Sequence, residues 1–267
     1  MADPFLIALA LKMVTSALIV VAASLVVERA GPFLGAMIAT LPISAGPSYA
    51  FLAYEHGPAF VEASSLVSLA ANAATALFIV LYAALAQRHG VAASIAGALA
   101  AWLVTAWTIT RFDWSLPAGI ALNVAAYGGA LLAARRFLGR SSGRGPAAKP
   151  WWAVPARAVG VMCLVATVVV VGRLIGPKAA GMAALVPVVL TSLAAVLHPR
   201  IGGPATASVM ANGLPGMIGF TTSLVVLHVA VVPLGSVLAL LAALAVCVGW
   251  NVGLTVRQRL LRPGASR

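Results

Sequence analysis

Residues 60–86 read FVEASSLVSLAANAATALFIVLYAALA, a 27-residue run in which Glu62 is the one charged side chain. About 20 predominantly apolar residues in helical form, rising roughly 1.5 Å each, cross the hydrocarbon core of a bilayer. The run therefore reads as a transmembrane helix.

The chain around it has the same character. Of its 267 residues 62% are hydrophobic and 8% charged, and the mean hydropathy is +1.06. Soluble domains carry about 25% charged residues, and a water-soluble fold of this length has too little interior to hide so much apolar surface. Inside a bilayer each segment must satisfy its own backbone, so the spans are helices or a closed barrel. Barrel strands alternate polar and apolar residues, whereas these runs are continuous and long. Further runs cover 5–27, 32–54, 91–110, 116–137, 154–175, 177–198, 205–230 and 234–256, giving about nine spans with 60–86. The first lacks the basic leader of a signal peptide, since Met1 to Pro4 carries only Asp3, and it reads as a retained helix. Proline marks many boundaries, as at Gly31-Pro32, Gly57-Pro58, Pro117, Gly176-Pro177, Gly203-Pro204 and Pro233. A first-turn proline gives up an N–H that has no helical partner there anyway.

The net charge of +12 does not indicate nucleic-acid binding, because the basic residues gather beside apolar spans. One group is Arg135, Arg136, Arg140, Arg144 and Lys149; the other is Arg257, Arg259, Arg262 and Arg267. Both are expected on the cytoplasmic side. Four spans separate them, so the parity agrees, and the N-terminus falls outside. Arg29, Arg88 and Arg200 then lie inside and Asp3, Glu55 and Asp113 outside, with Arg111, Arg173 and Lys178 as exceptions. Cys163 and Cys247 lie within apolar spans and have no metal-type neighbours, so no cofactor or metal is expected. The Ala- and Arg-rich composition suits a bacterial inner membrane.

An internal repeat emerges from the boundaries. Gly31, Pro32, Met37, Ala39 and Pro42 recur as Gly176, Pro177, Met182, Ala184 and Pro187, 145 residues on. Lys12 and Arg157 share that offset, and Gly57-Pro58-Ala59 resembles Gly203-Pro204-Ala205 at 146. Trp107 and Trp250 take similar places in later spans. On this reading spans 1–4 match spans 6–9, and the intervening fifth span makes the two halves opposite in orientation. The expected fold is an all-α polytopic membrane protein, two inverted four-helix repeats plus one linking helix. Its parts are residues 1–110, the linking helix 111–138, a basic linker 139–153, the second repeat 154–256 and a basic tail 257–267. Inverted repeats are the architecture of many secondary transporters.

The residues able to do chemistry cluster at helix breakers. Pro42 and Pro187 lie ten residues into their spans, roughly 15 Å deep and near the bilayer midplane. Each removes a backbone hydrogen bond. Ser44, Gly46, Pro47 and Ser48 follow the first, and Thr191 and Ser192 the second. A broken helix offers backbone groups to a substrate or ion; the simpler reading is a kink healed by a hydroxyl. In the third span Glu62, Ser65, Ser68, Asn72 and Thr75 share one face of about 140°, which reads as a wall of a permeation path or as interhelical glue. Its expected counterpart carries Thr206, Ser208 and Asn212, with a further interruption at Asn212 to Gly216. Glu62 is the candidate for a coupling ion; as a plain structural residue it would be a first-turn acid. Lys12 and Arg157 are expected to snorkel to their interfaces, and Asn123, His228 and Asn251 read as isolated structural groups.

The motifs of nucleotide, metalloprotease and serine-hydrolase sites are lacking. The expectation is a secondary transporter or exporter of a small molecule, not an enzyme. Its lining would be Pro42, Ser44, Gly46, Ser48, Asn72, Pro187, Thr191, Ser192 and Asn212, with Glu62 for coupling. Its partners would be the lipid bilayer and the substrate, with no nucleic acid; self-association is left open. The alternatives are a membrane-embedded scaffold or subunit and, less favoured, an intramembrane enzyme acting on a lipid carrier.

Overall fold

The computed structural model describes residues 4–29, 45–139 and 151–261. Among them every regular element is helical. The helices are α1 (Pro4–Arg29), α2 (Ala45–His56), α3 (Pro58–Leu85), α4 (Val91–Ile109), α5 (Leu116–Ala134), α6 (Ala153–Ile175), α7 (Pro177–Ala184), α8 (Val188–Ile201), α9 (Gly203–Leu234) and α10 (Ser236–Leu261). A 3-10 turn, Arg135–Phe137, extends α5. Prolines stand in the first turns of α3, α5, α7 and α9, where a helix tolerates them best.

Seven of these segments are long and apolar enough to cross a membrane: α3, α4, α5 with its 3-10 turn, α6, α7 with α8, α9, and Ser236–Arg257 of α10. The chain is thus a helical, multi-pass membrane protein. α1 adds an apolar stretch at Leu9–Ile19, and α2 is the described part of the expected second span. Gly31, Pro32, Met37, Ala39, Pro42, Ser44, Arg140, Arg144, Lys149, Arg262 and Arg267 lie outside the described residues.

The helix opened on above, α3, stands at the centre. It packs against α9, α4, α5 and α7, and most of its residues are buried. Around it, α9 packs on α10, and α1 on α6. Several neighbours come in couples: α2 packs on α3 as α8 does on α9, and α2 packs on α10 as α8 does on α4. The match is incomplete, since α6 packs against both α2 and α8 while α1 keeps mainly to α6.

The boundaries have one register. α2 and α8 end at His56 and Ile201, α3 and α9 begin at Pro58 and Gly203, and α4 and α10 begin at Val91 and Ser236, each couple 145 residues apart. The turn before α3 uses Gly57 at φ 81°, and the turn before α9 uses Gly202 at φ 86°, a left-handed conformation that only glycine adopts without strain. Gly57 and Gly202 are themselves 145 apart, one less than the 146 of the Gly-Pro-Ala strings.

Two expectations about helix breaks fare differently. The span from Pro177 breaks at Leu185 to Pro187, between α7 and α8. Pro187 has no N–H to donate and disfavours the α conformation in Val186. The span containing Asn212 to Gly216 does not break: α9 is continuous from Gly203 to Leu234 with Pro215 inside it. The Asn212 side chain returns to the Ser208 carbonyl at 2.8 Å, one turn back. The Pro215 carbonyl accepts from Trp250 Nε1 of α10 at 2.9 Å. The carbonyl that Pro215 leaves without its helical donor is that of Ala211, four residues back, and α9 runs on past it, as membrane helices do at many internal prolines.

Candidate functional site

The break in the Pro177 span creates a local polar problem that α3 solves. In an uninterrupted helix the Gly181 carbonyl would accept from the Leu185 N–H. That N–H turns instead to Met182 O, 3.1 Å away. Gly181 O then accepts from Ser68 Oγ of α3 at 2.6 Å, and Ser68 Oγ accepts from the Tyr49 hydroxyl of α2. An unmet carbonyl at this depth would cost several kcal/mol, so the hydroxyl pair stabilises the break. Glycine at 181 permits the approach, because a Cβ there would lie 2.2 Å from Ser64 O. Tyr49 and Ser68 thus tie α2, α3 and α7 together.

One turn along α3, Asn72 forms a second polar node. Its Nδ2 donates to Thr221 Oγ1 of α9 at 2.9 Å and to Asn123 Oδ1 of α5 at 3.2 Å. Asn123 Nδ2 donates to Leu69 O at 2.6 Å and Gly119 O at 2.9 Å. The Tyr127 hydroxyl reaches Asn72 O at 3.3 Å, and Trp102 Nε1 of α4 donates to Thr75 Oγ1 at 3.3 Å. Asn72 Oδ1 is buried and has no hydrogen-bond partner. The stripe therefore faces other helices rather than lipid, with one acceptor left open. Asn123, read from the sequence as isolated, is part of this node.

Among the described residues, the hydrogen bonds of Thr191, Ser192 and Asn212 lead to partners other than Asn72. Ser48 is buried on α2. Thr191 and Ser192 stand near the start of α8, half-buried. The Thr191 N–H donates to Pro187 O at 2.8 Å. Ser192 Oγ donates to Val189 O at 2.8 Å and accepts from Arg157 Nε at 3.3 Å. Asn212 is exposed. Glu62 is half-buried, and its backbone carbonyl, not its carboxylate, lies 3.0 Å from His228 Nδ1. Among the described residues the Glu62 carboxylate forms no ion pair. Pro42 and Ser44 lie outside the described residues.

Glu55, assigned from the sequence to an outer loop, does find a buried cation. It forms an ion pair with Lys12 of α1. Lys12 is 8% exposed and lies 5.9 Å from the Phe51 ring centre. Lys12, expected to snorkel to the interface, turns to a carboxylate near the end of a neighbouring helix. The two residues are 43 apart, too far for any helical spacing rule to join them.

Beside the start of α2 lies a cavity of about 380 Å³ between α1, α2, α9 and α10. Its walls include Gly46, Tyr49, Phe220, Ser223, Leu227 and Leu241. Of the predicted lining residues, Gly46 is the one that reaches it. The cavity had no sequence signal of its own, because its walls are ordinary apolar span residues.

Outside the spans, Asp113 in the α4–α5 turn pairs with Lys178 at the start of α7. The hydrogen bond and charge of Lys178 hold the Asp113 carboxyl below its ordinary range. Comparison of the chain with protein-family models, with characterised proteins and with solved structures gives no match.

Proposed function

We propose that the chain is a secondary transporter or exporter of a small molecule, working by alternating access around two broken helices. The observation that carries the reading is the single 145-residue register of helix boundaries, joined to reciprocal packing. A two-fold axis between halves lets equivalent elements meet on it and repeats cross-contacts in pairs. Support comes from α1 against α6 and α3 against α9, equivalents in contact, and from α2 on α10 with α4 on α8, a repeated pair; among the described residues α6 on α2 lacks its match of α1 on α8. In this reading α5 is the linking helix between two inverted four-helix repeats, the spans number nine, and the N-terminus is outside a bacterial inner membrane. Inverted repeats with interrupted helices are how many secondary carriers build a midplane site.

The break at Leu185 to Pro187 is one of the two hinges; the other is assigned to Pro42 by the repeat. Gly46, Ser48, Thr191 and Ser192 flank these hinges and Asn72 offers its open acceptor. Asn212, exposed on α9, completes the set. Glu62 is the coupling carboxylate. The Tyr49–Ser68–Gly181 chain of hydrogen bonds joins both hinge regions to α3, so one cannot move without the other's partner responding.

The test is accessibility from the two sides. Cys163 and Cys247 are replaced by alanine, and Gly46→Cys and Thr191→Cys are made singly. A membrane-impermeant maleimide should label each from both faces of oriented vesicles, the two fractions changing in opposite directions as conditions change. Glu62→Gln and Asn72→Ala should shift that ratio. Labelling of both positions from one face only, under every condition, would sink the proposal.

A further inference from the structure

The cavity beside α2 has a counterpart in the other half of the chain, and there the space is filled. In the 145 register Ser223 corresponds to Phe78, Leu227 to Tyr82 and Cys247 to Trp102. Phe78, Tyr82 and Trp102 are fully buried. They fill the corner between α3, α4 and α8: Trp102 of α4 donates to Thr75 of α3, and the Tyr82 hydroxyl lies 2.9 Å from His198 Nδ1 of α8. The matching corner is made by α9, α10 and α2, which line the cavity with Ile19 of α1. Ser223 and Leu227 are in its wall, and Cys247 lies one turn along α10 from the lining residue Ala243. Two rings are exchanged there for a hydroxymethyl group and a thiol, and a third for an aliphatic chain. Rings stand on other walls instead, Tyr49 at the position of Ala194 and Phe220 at that of Thr75, so the second corner places its aromatic groups around the space rather than in it.

We propose that this cavity binds an apolar, ring-bearing small molecule, seated where the other half of the chain carries its own aromatic side chains. The proposal rests on the transporter reading through its repeat, and it names the substrate class. The volume of about 380 Å³ falls within the range of ligand pockets, roughly 300–1,000 Å³. The two hydroxyls in the wall are engaged: Ser223 Oγ donates to Phe220 O at 2.8 Å, and the Tyr49 hydroxyl donates to Ser68. A charged or sugar-like ligand would lose its water and find no free donor, whereas a dry apolar cavity accepts apolar rings. Tyr49 and Phe220 present rings to the space, and aromatic pairs favour each other in offset or edge-on contact. Ile19, Leu241 and Leu244 are wall residues that are also exposed, so the mouth lies on the lipid side. Gly46 and Pro47 bring the occupant against the start of α2, next to a proposed hinge.

The full chain in phosphatidylcholine nanodiscs provides the test, with a phenyl-diazirine as photoprobe and naphthalene as competitor. A phosphatidylcholine carrying the diazirine in its acyl chain forms a separate arm. The phenyl probe should mark residues 45–50 and 220–227, and naphthalene should suppress the mark. Ser223→Phe, which restores the counterpart's side chain, should reduce labelling by about tenfold, the low end of an overpacking cost. Should Ser223→Phe fail to give a monodisperse protein, Ala243→Val fills the same wall more gently and should lower labelling in the same direction. Labelling unchanged in a folded filling variant, or insensitive to naphthalene, overturns the proposal. So does marking of these residues by the acyl-chain probe alone, which would make the occupant a lipid chain. Two-sided accessibility of Gly46→Cys without probe binding leaves transport standing and this site refuted. Probe binding with one-sided accessibility does the reverse.

Discussion

The corner of α3, α4 and α8 and the corner of α9, α10 and α2 are framed alike and filled differently. In the first, Phe78, Tyr82 and Trp102 close the space, all fully buried. In the second, Ser223, Leu227 and Cys247 stand at the corresponding positions and a cavity of about 380 Å³ remains. Helix placement alone therefore does not decide whether a membrane protein has a pocket. The placing of bulky side chains does: Phe78, Tyr82 and Trp102 close the first corner, whereas Tyr49 and Phe220 stand around a space that they do not fill. The contrast assigns stability to the first corner and room to the second.

The most direct way to break that contrast is to empty the filled corner. Trp102→Ala removes the largest fully buried side chain and its bond to Thr75. It should cost about 3–5 kcal/mol, as large aromatic truncations in cores do. Cys247→Ala, at the matching position one turn from the cavity wall, removes one sulfur atom and should cost about 1 kcal/mol or less. Thermal unfolding in detergent micelles, followed by circular dichroism, compares the two. Equal losses would mean that the corners are equally packed and that the comparison is wrong.

A second pair of variants sharpens the difference between backbone contact and open space. Gly181→Ala places a Cβ 2.2 Å from Ser64 O, which is backbone and cannot rotate away. α7 must then move off α3, stretching the Ser68–Gly181 bond, at an expected cost of about 1–3 kcal/mol. Small residues are what let membrane helices approach this closely. Gly46→Ala meets nothing within 4 Å and should be neutral or stabilising by up to about 1 kcal/mol. The same unfolding assay reads both, and a Gly46→Ala loss as large as that at Gly181 would show the cavity wall to be closed.

What the sequence disclosed follows from range. Helical spans, their Pro and Gly boundaries and the break at Pro187 are local properties, and residues 60–86 were enough to set the class. The stripe of Ser65, Ser68, Asn72 and Thr75 was also legible, because a helical period reveals a shared face. Its partners were not: Asn123, Thr221 and the Gly181 carbonyl are brought to it by tertiary packing. For the same reason Glu62 drew attention as an acid within a span, while Glu55, at a span end, is the one that meets a buried lysine. The interruption expected at Asn212 to Gly216 failed because composition cannot report that α9 is packed along its length against α3 and α10 and runs on through Pro215. The cavity was illegible for a further reason: Ser223, Leu227 and Cys247 are ordinary span residues until they are aligned with Phe78, Tyr82 and Trp102.

The smallest expected effect lies at the rim. Asp113 and Lys178 tie the α4–α5 turn to α7 from outside the membrane, with both side chains largely exposed. The carboxyl is held below its ordinary value by the lysine. A depressed carboxylate pKa contributes stability above the unfolded value, near about 3.9, and loses it as pH falls through the folded value. Wild type should therefore lose slightly more melting temperature than Asp113→Asn below about pH 4, while the two differ little at neutral pH. High salt should shrink even that difference, since exposed charges are screened. The pair at Lys12 and Glu55 should behave otherwise, because salt reaches a lysine that is 8% exposed far less readily. Unfolding of Glu55→Gln should thus stay lowered in salt that erases the Asp113→Asn effect. Equal salt sensitivity of the two pairs would place Lys12 in water and remove the support it gives to the α1–α2 side of the open corner.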